Sequence, residues 1–102
     1  MVIAMLRFAG LLMLTAIPAS ASAQDIADKL ELCMSCHGEK GIPSTQGVPL
    51  IAGRPAEDLA HQLQLFRDGR RNNPQMVMAK RLTDQEIEKL ASYFATQSRV
   101  RP

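Results

Sequence analysis

Cys33-Met34-Ser35-Cys36-His37 is the stretch on which the reading of this chain turns. Its two cysteines are the only ones in 102 residues. A disulfide across so short a loop would remove little freedom from the unfolded chain, so their purpose is chemical rather than structural. A thioredoxin-like redox pair wants a strand leading into the motif and a parallel sheet behind it, and the flanking residues carry neither pattern. Zinc held by Cys33, Cys36, His37 and His61 would lack the second close ligand pair of finger and ribbon sites. Covalent haem attachment accounts for the whole stretch. The thiols of Cys33 and Cys36 add across two vinyl groups as thioethers, the two-residue spacer suits their separation, and the adjacent His37 is directed under the iron as proximal ligand.

The residues before the motif read as an export signal. Arg7 supplies a positive n-region, Phe8 to Ile17 an apolar h-region, and Ala21-Ser22-Ala23 a small-x-small cleavage site. The apolar run is well short of the ~18 residues that span a bilayer, and no second hydrophobic segment follows. Residues 1–23 are therefore expected as a cleaved signal peptide and 24–102 as one domain in the periplasm, with no stable membrane insertion. With 12 basic against 10 acidic side chains, nothing points to a nucleic-acid binder or a polybasic membrane tether. After cleavage Phe66, Tyr93 and Phe94 are the only rings left, and a domain this small gains from a large planar apolar cofactor in its core.

The periodicity predicts an all-α domain of three main helices and long loops around one covalent haem. Ile26, Ala27, Leu30 and Cys33 recur at helical intervals, giving a first helix from Asp25, its expected N-cap, to about Met34. Gly38, Gly41, Gly47 and Gly53 with Pro43 and Pro49 mark residues 38–53 as a long loop. A second helix opens at Pro55, carries Leu59, Leu63 and Phe66 on one stripe, and stops at Gly69. Residues 70–81 read as another loop. Thr83-Asp84-Gln85-Glu86 is a capping box that starts the last helix, with Ile87, Leu90, Ala91 and Phe94 on its apolar face. No alternating strand pattern and no repeat is visible.

An iron held by His37 needs a sixth ligand or an open position, and that choice separates an electron carrier from a gas-binding or peroxide-handling haem. Met76 and Met78 are both candidates, since each places a thioether in the loop after the second helix. Sulfur there stabilises ferrous iron and raises the potential. His61 reads as a helix surface residue rather than a ligand. No paired carboxylates, Ser/His/Asp set or phosphate-binding glycine loop stands out, so the chain reads as a carrier and not as an enzyme.

From Leu30 to Gln97 the chain resembles a class I cytochrome c of the group containing cytochromes c4 and bacterial c553-type carriers. The resemblance rests on Cys33-Met34-Ser35-Cys36-His37-Gly38, Val48-Pro49-Leu50-Ile51-Ala52-Gly53, Gln62-Leu63, Phe66-Arg67-Asp68-Gly69-x-Arg71-x-Asn73-Pro74-x-Met76 and Leu82-Thr83-Asp84-x-Glu86-Ile87. It implies the small cytochrome c fold, with the first and last helices packed together. It implies that Pro49 offers its carbonyl to His37 Nδ1, and that Leu50 and Ile51 line the haem pocket. It also favours Met76 as the sixth ligand, with Met78 second, although the stretch from Met76 to Leu82 is one residue shorter than is usual in the group. Arg54, with Arg67, Arg70 and Arg71, would answer haem propionates or an acidic partner, or form a solvated basic face. The function implied is single-electron transfer between a donor and an acceptor redox protein. The alternative is the haem subunit of a dehydrogenase complex such as flavocytochrome c sulfide dehydrogenase, taking electrons from a flavoprotein partner.

Overall fold

A computed structural model describes residues 21–101 together with Gly10, Leu12 and Met13. The n-region of the expected signal peptide, and all of its h-region but Gly10, Leu12 and Met13, lie outside the described residues. Four helical segments and no strand occur among the described residues: α1 (Ala21–His37), α2 (Ala56–Arg67), a 3-10 segment (Pro74–Arg81) and α3 (Asp84–Ala95). No helix described is long and apolar enough to cross a membrane.

α1 begins upstream of the expected cap, so Asp25 lies inside the helix, and it continues past Met34 to His37. Nothing between Ala21 and His37 breaks a helix, since glycine and proline are both absent there. The stop is Gly38, at φ 86°, whose amide closes the last turn on the Met34 carbonyl at 2.9 Å.

α2 starts one residue after Pro55, whose carbonyl accepts from the amides of Asp58 and Leu59, both at 3.1 Å. Glu57 and Asp58 sit in its first turn, where negative charge suits the helix dipole. Its end is a Schellman motif. The Gly69 amide bonds the Phe66 carbonyl at 3.4 Å and the Arg70 amide bonds Leu65 at 3.0 Å, with Gly69 left-handed at φ 75°.

Residues 70–81 are not the open loop that the sequence suggested. Asn73 accepts the Gln75 amide on its side chain and the Met76 amide on its carbonyl, both at 2.9 Å, and Pro74 enters the first turn with φ already fixed. The 3-10 turns this starts are broken at Met76 (φ −103°, ψ 17°), so no clean period was present to be read.

α3 follows its capping box as expected. Thr83 Oγ1 accepts the Glu86 amide at 3.2 Å, and Glu86 Oε1 accepts the Thr83 amide at 2.9 Å. Ile87, Leu90, Ala91 and Phe94 are buried, and α3 packs against both α2 and α1. One cluster joins Phe66, Ala79, Leu82, Ile87 and Leu90, and a second joins Leu59, Ala91 and Phe94. Leu30 and Cys33 of α1 pack against both, which fixes the motif-bearing helix on the core. Lys29 of α1 also pairs with Glu86, so the cap carboxylate of α3 ties the two helices together. Leu90 is 1 % exposed at the centre of this packing. Leu90→Ala is expected to cost about 3 kcal/mol, within the ~2–5 kcal/mol of buried leucine truncations, read as a lower urea midpoint with unchanged slope.

Candidate functional site

Because α1 runs through the motif, Cys33, Cys36 and His37 stand at i, i+3 and i+4 and share one face of its last turns. Their surroundings differ. Cys33 is half-buried, Cys36 is exposed, and His37 is 8 % exposed. Burial pushes the Cys33 thiol up to about 11, against a weaker opposing backbone hydrogen bond. Ser35 Oγ donates to the Leu32 carbonyl at 2.6 Å, a bond made within the helix itself.

His37 Nδ1 lies 3.0 Å from the Pro49 carbonyl oxygen, the contact that the resemblance implied. A carbonyl only accepts, so the proton sits on Nδ1 and the lone pair is left on Nε2. An imidazole fixed this way is oriented, and its basicity as a ligand is raised.

The loop over residues 38–53 delivers Pro49 to that position through bonds at its two ends. The Gly41 amide bonds the Gly38 carbonyl at 3.0 Å, and the Gly41 carbonyl accepts from Ile51 at 3.0 Å and Ala52 at 3.1 Å. The Gly53 amide bonds the Phe94 carbonyl of α3 at 2.9 Å, and Arg99 donates to the Gly53 carbonyl at 3.1 Å. Ile51 packs against the Leu59, Ala91 and Phe94 cluster, and Leu50 is half-buried.

Met76 and Met78 are half-buried, and both pack on the cluster that Cys33 also touches. Only Met76 lines a cavity of about 220 Å³, whose walls include Phe66, Arg71, Pro74, Val77 and Lys80. The structure therefore gathers Cys33 with the two methionines on one cluster, and His37 with Pro49 by a hydrogen bond. The cavity at Met76 does not include His37 among its walls.

His61 is exposed on α2, and no three His, Cys, Asp or Glu side chains converge among the described residues, so the zinc set is not assembled. Of Arg54, Arg67, Arg70 and Arg71, the last three are engaged with groups of their own chain. Arg67 Nη1 reaches Asp84 Oδ1 at 2.6 Å and the Leu82 carbonyl at 3.4 Å. Arg70 pairs with Asp68 at 3.5 Å, while Arg71 donates to Gln62 and lies 4.7 Å over the Phe66 ring. They tie the end of α2 to its neighbours, and Arg54 remains on the surface.

Sequence reasoning missed three fastenings of the site: Lys29 to Glu86, Gly53 to Phe94, and the Tyr93 hydroxyl to the Glu39 carbonyl at 3.0 Å. Each joins residues more than 40 positions apart, so no local pattern signals it. The residues present fit a haem: two thiols and an imidazole share a helix face, the imidazole has Nδ1 committed and Nε2 available, and thioethers lie on a neighbouring segment.

Comparison with known proteins agrees. The cytochrome c family model matches residues 20–98. Cytochrome c4 of Thiocapsa roseopersicina is 41% identical over 66 residues, covering 65% of this chain and 34% of that protein. A thiosulfate dehydrogenase electron acceptor of Thiomonas intermedia is 43% identical over 65 residues, covering 62% of this chain and 30% of that protein. The chain thus spans about a third of the length of these two relatives. Cytochrome c-553 of Helicobacter pylori (strain ATCC 700392 / 26695) is 33% identical over 98 residues and is matched nearly end to end, at 94% of this chain and 93% of that protein. By motif, helical fold and these likenesses together, the chain belongs to the cytochrome c family, with its haem c attached through Cys33 and Cys36.

Proposed function

We propose that this chain is a periplasmic carrier of single electrons, with His37 and Met76 as the two axial ligands of its iron. The observation that carries the proposal is the 3.0 Å contact of His37 Nδ1 with Pro49, which leaves Nε2 as the donor on the helix face that bears both cysteines. Haem c supplies the ferric/ferrous couple. The chain's own residues do the rest. His37 is held in one tautomer, so its orientation is the same in both oxidation states. Met76, at the break in the 3-10 segment, would offer a soft sulfur to the iron, which would favour the reduced state and exclude outside ligands. The Phe66, Ile87 and Leu90 cluster, on which Cys33 and Met76 both pack, would give a haem held by them an apolar neighbour that excludes water.

The partners are a donor and an acceptor redox protein. Two relatives are named thiosulfate dehydrogenase electron acceptors, which supports a dehydrogenase as the donor here. Export is supported by Arg7, the short h-region and Ala21-Ser22-Ala23, with the cut after Ala23.

Protein matured in cells that attach haem is expected to begin at Gln24, to exceed the bare polypeptide mass by one haem, and to give a haem c pyridine haemochrome. The Cys33→Ser, Cys36→Ser double variant is expected to lose the covalent haem altogether. A bare polypeptide mass in the parent would overturn the proposal. A flavoprotein that stays bound through gentle isolation would replace the free carrier by a dehydrogenase subunit.

A further inference from the structure

Two adjacent residues of α3 grip the two strands of chain that meet at His37. Tyr93 Oη donates to the Glu39 carbonyl at 3.0 Å, two residues beyond His37. The Phe94 carbonyl accepts the Gly53 amide at 2.9 Å, four residues beyond Pro49. Between these grips, Gly41 joins the strands through Ile51 and Ala52 at 3.0 and 3.1 Å. The His37 to Pro49 hydrogen bond closes the same ring of contacts at 3.0 Å. We propose that Tyr93 is a positioning residue, whose hydroxyl holds the Glu39 turn so that the His37 Nδ1 bond to Pro49 stays short and the imidazole stays in one orientation.

The Tyr93 ring does not need its hydroxyl in order to pack. It meets Phe94 edge to face, with centroids 5.0 Å apart and an interplanar angle of 87°. Tyr93→Phe therefore keeps the ring contact and removes one donor. With that donor gone, the Glu39 carbonyl loses its hydrogen bond to α3, the turn gains freedom, and the average Nδ1 to carbonyl distance grows. A weaker bond leaves the imidazole less electron-donating and so stabilises the ferric state less.

This rests on His37 being the iron's ligand, and a low-spin ferrous spectrum that survived in His37→Gly would fault that reading independently. In Tyr93→Phe carrying its full complement of haem, the midpoint potential is expected to rise. At the parent's midpoint the ferrous-to-ferric ratio would increase at least twofold, a shift of about 18 mV at ~59 mV per tenfold change. In the reduced protein the His37 Nδ1 proton is expected to exchange with solvent at least tenfold faster. Thr96→Ala is the control. It removes a hydroxyl donor to the Tyr93 carbonyl, at 2.8 Å from the C-cap of the same helix, leaves the Tyr93 hydroxyl in place, and is expected to lower stability while leaving potential and exchange unchanged. Equal shifts in both variants, or none in Tyr93→Phe, would overturn the proposal. If Tyr93→Phe does not accumulate with haem, exchange in the parent still decides. The His37 Nδ1 proton and the Gly53 amide are expected to open together, and rates differing by more than tenfold would overturn it.

Discussion

In Met76→Ala the ferric protein is expected to lose its sulfur-to-iron charge-transfer band, the ferrous protein to bind carbon monoxide, and the midpoint potential to fall by on the order of 0.1 V. That fall is a modest part of the ~0.8 V over which axial ligands set haem potentials. Met78→Ala is the comparison. Both side chains are half-buried against the Phe66, Ala79, Leu82, Ile87 and Leu90 cluster, so each variant loses packing and some stability. Stability alone cannot tell them apart. The spectrum can, because only the ligand's removal opens the iron. Met76 differs from Met78 in two ways: its backbone leaves helical geometry at φ −103°, ψ 17°, and its side chain borders the 220 Å³ cavity. A segment broken at one residue can turn that side chain without unwinding its neighbours. If the band survives in Met76→Ala and vanishes in Met78→Ala, the sixth ligand moves two residues along and the rest of the site stands.

How much of this was legible in the sequence depended on how local the signal was. The capping box of α3 was readable because Thr83 and Glu86 satisfy each other's amides within one turn, and the structure has both bonds. The Gly69 stop of α2 was readable for the same reason, since only a left-handed residue completes the Schellman bonds. The ends of α1 are not marked by its local pattern. The cysteine motif looked like a terminus because its chemistry is distinct, yet its residues form helix up to Gly38. Residues 70–81 carry no helical signal in the sequence because a 3-10 run interrupted at Met76 shows no steady interval. The cysteines and His37 followed from spacing alone, whereas Pro49 followed from the likeness to a family. A carbonyl presented from 12 residues away leaves no trace in side-chain type. Glu86 shows the limit most clearly. Its cap role was evident, but its pairing with Lys29 depends on how α1 and α3 meet, and that is fixed by Leu30, Cys33, Leu90 and Ala91 together.

Gly41→Ala is expected to be among the most damaging single changes outside the ligands, costing about 3 kcal/mol or more and sharply lowering the yield of haem-bearing protein. Gly41 has φ 85°, where an L side chain is strained by roughly 1–2 kcal/mol. An added Cβ would also lie 2.9 Å from the Ala52 amide nitrogen, 2.9 Å from Phe94 Cδ1 and 3.0 Å from Ile51 Cγ1. Neither the backbone nor a buried ring yields cheaply, and overpacking of this kind typically adds ~1–3 kcal/mol. Against a total stability of roughly 5–15 kcal/mol, the sum is a large share. The damage falls on the site because Gly41 is the hinge between His37 and Pro49: pushing Ala52 away breaks the bonds that present the Pro49 carbonyl. Gly47→Ala separates strain from crowding. Gly47 has φ 89° but no atom within 4 Å of an added Cβ, so only the backbone cost of about 1–2 kcal/mol applies. Urea midpoints of the two variants, measured on the fraction carrying haem, are expected to differ by at least the overpacking cost, with the potential shifted in Gly41→Ala alone. Equal losses in the two would mean that the loop relaxes around the new methyl group, and that His37 does not depend on Gly41 for its partner.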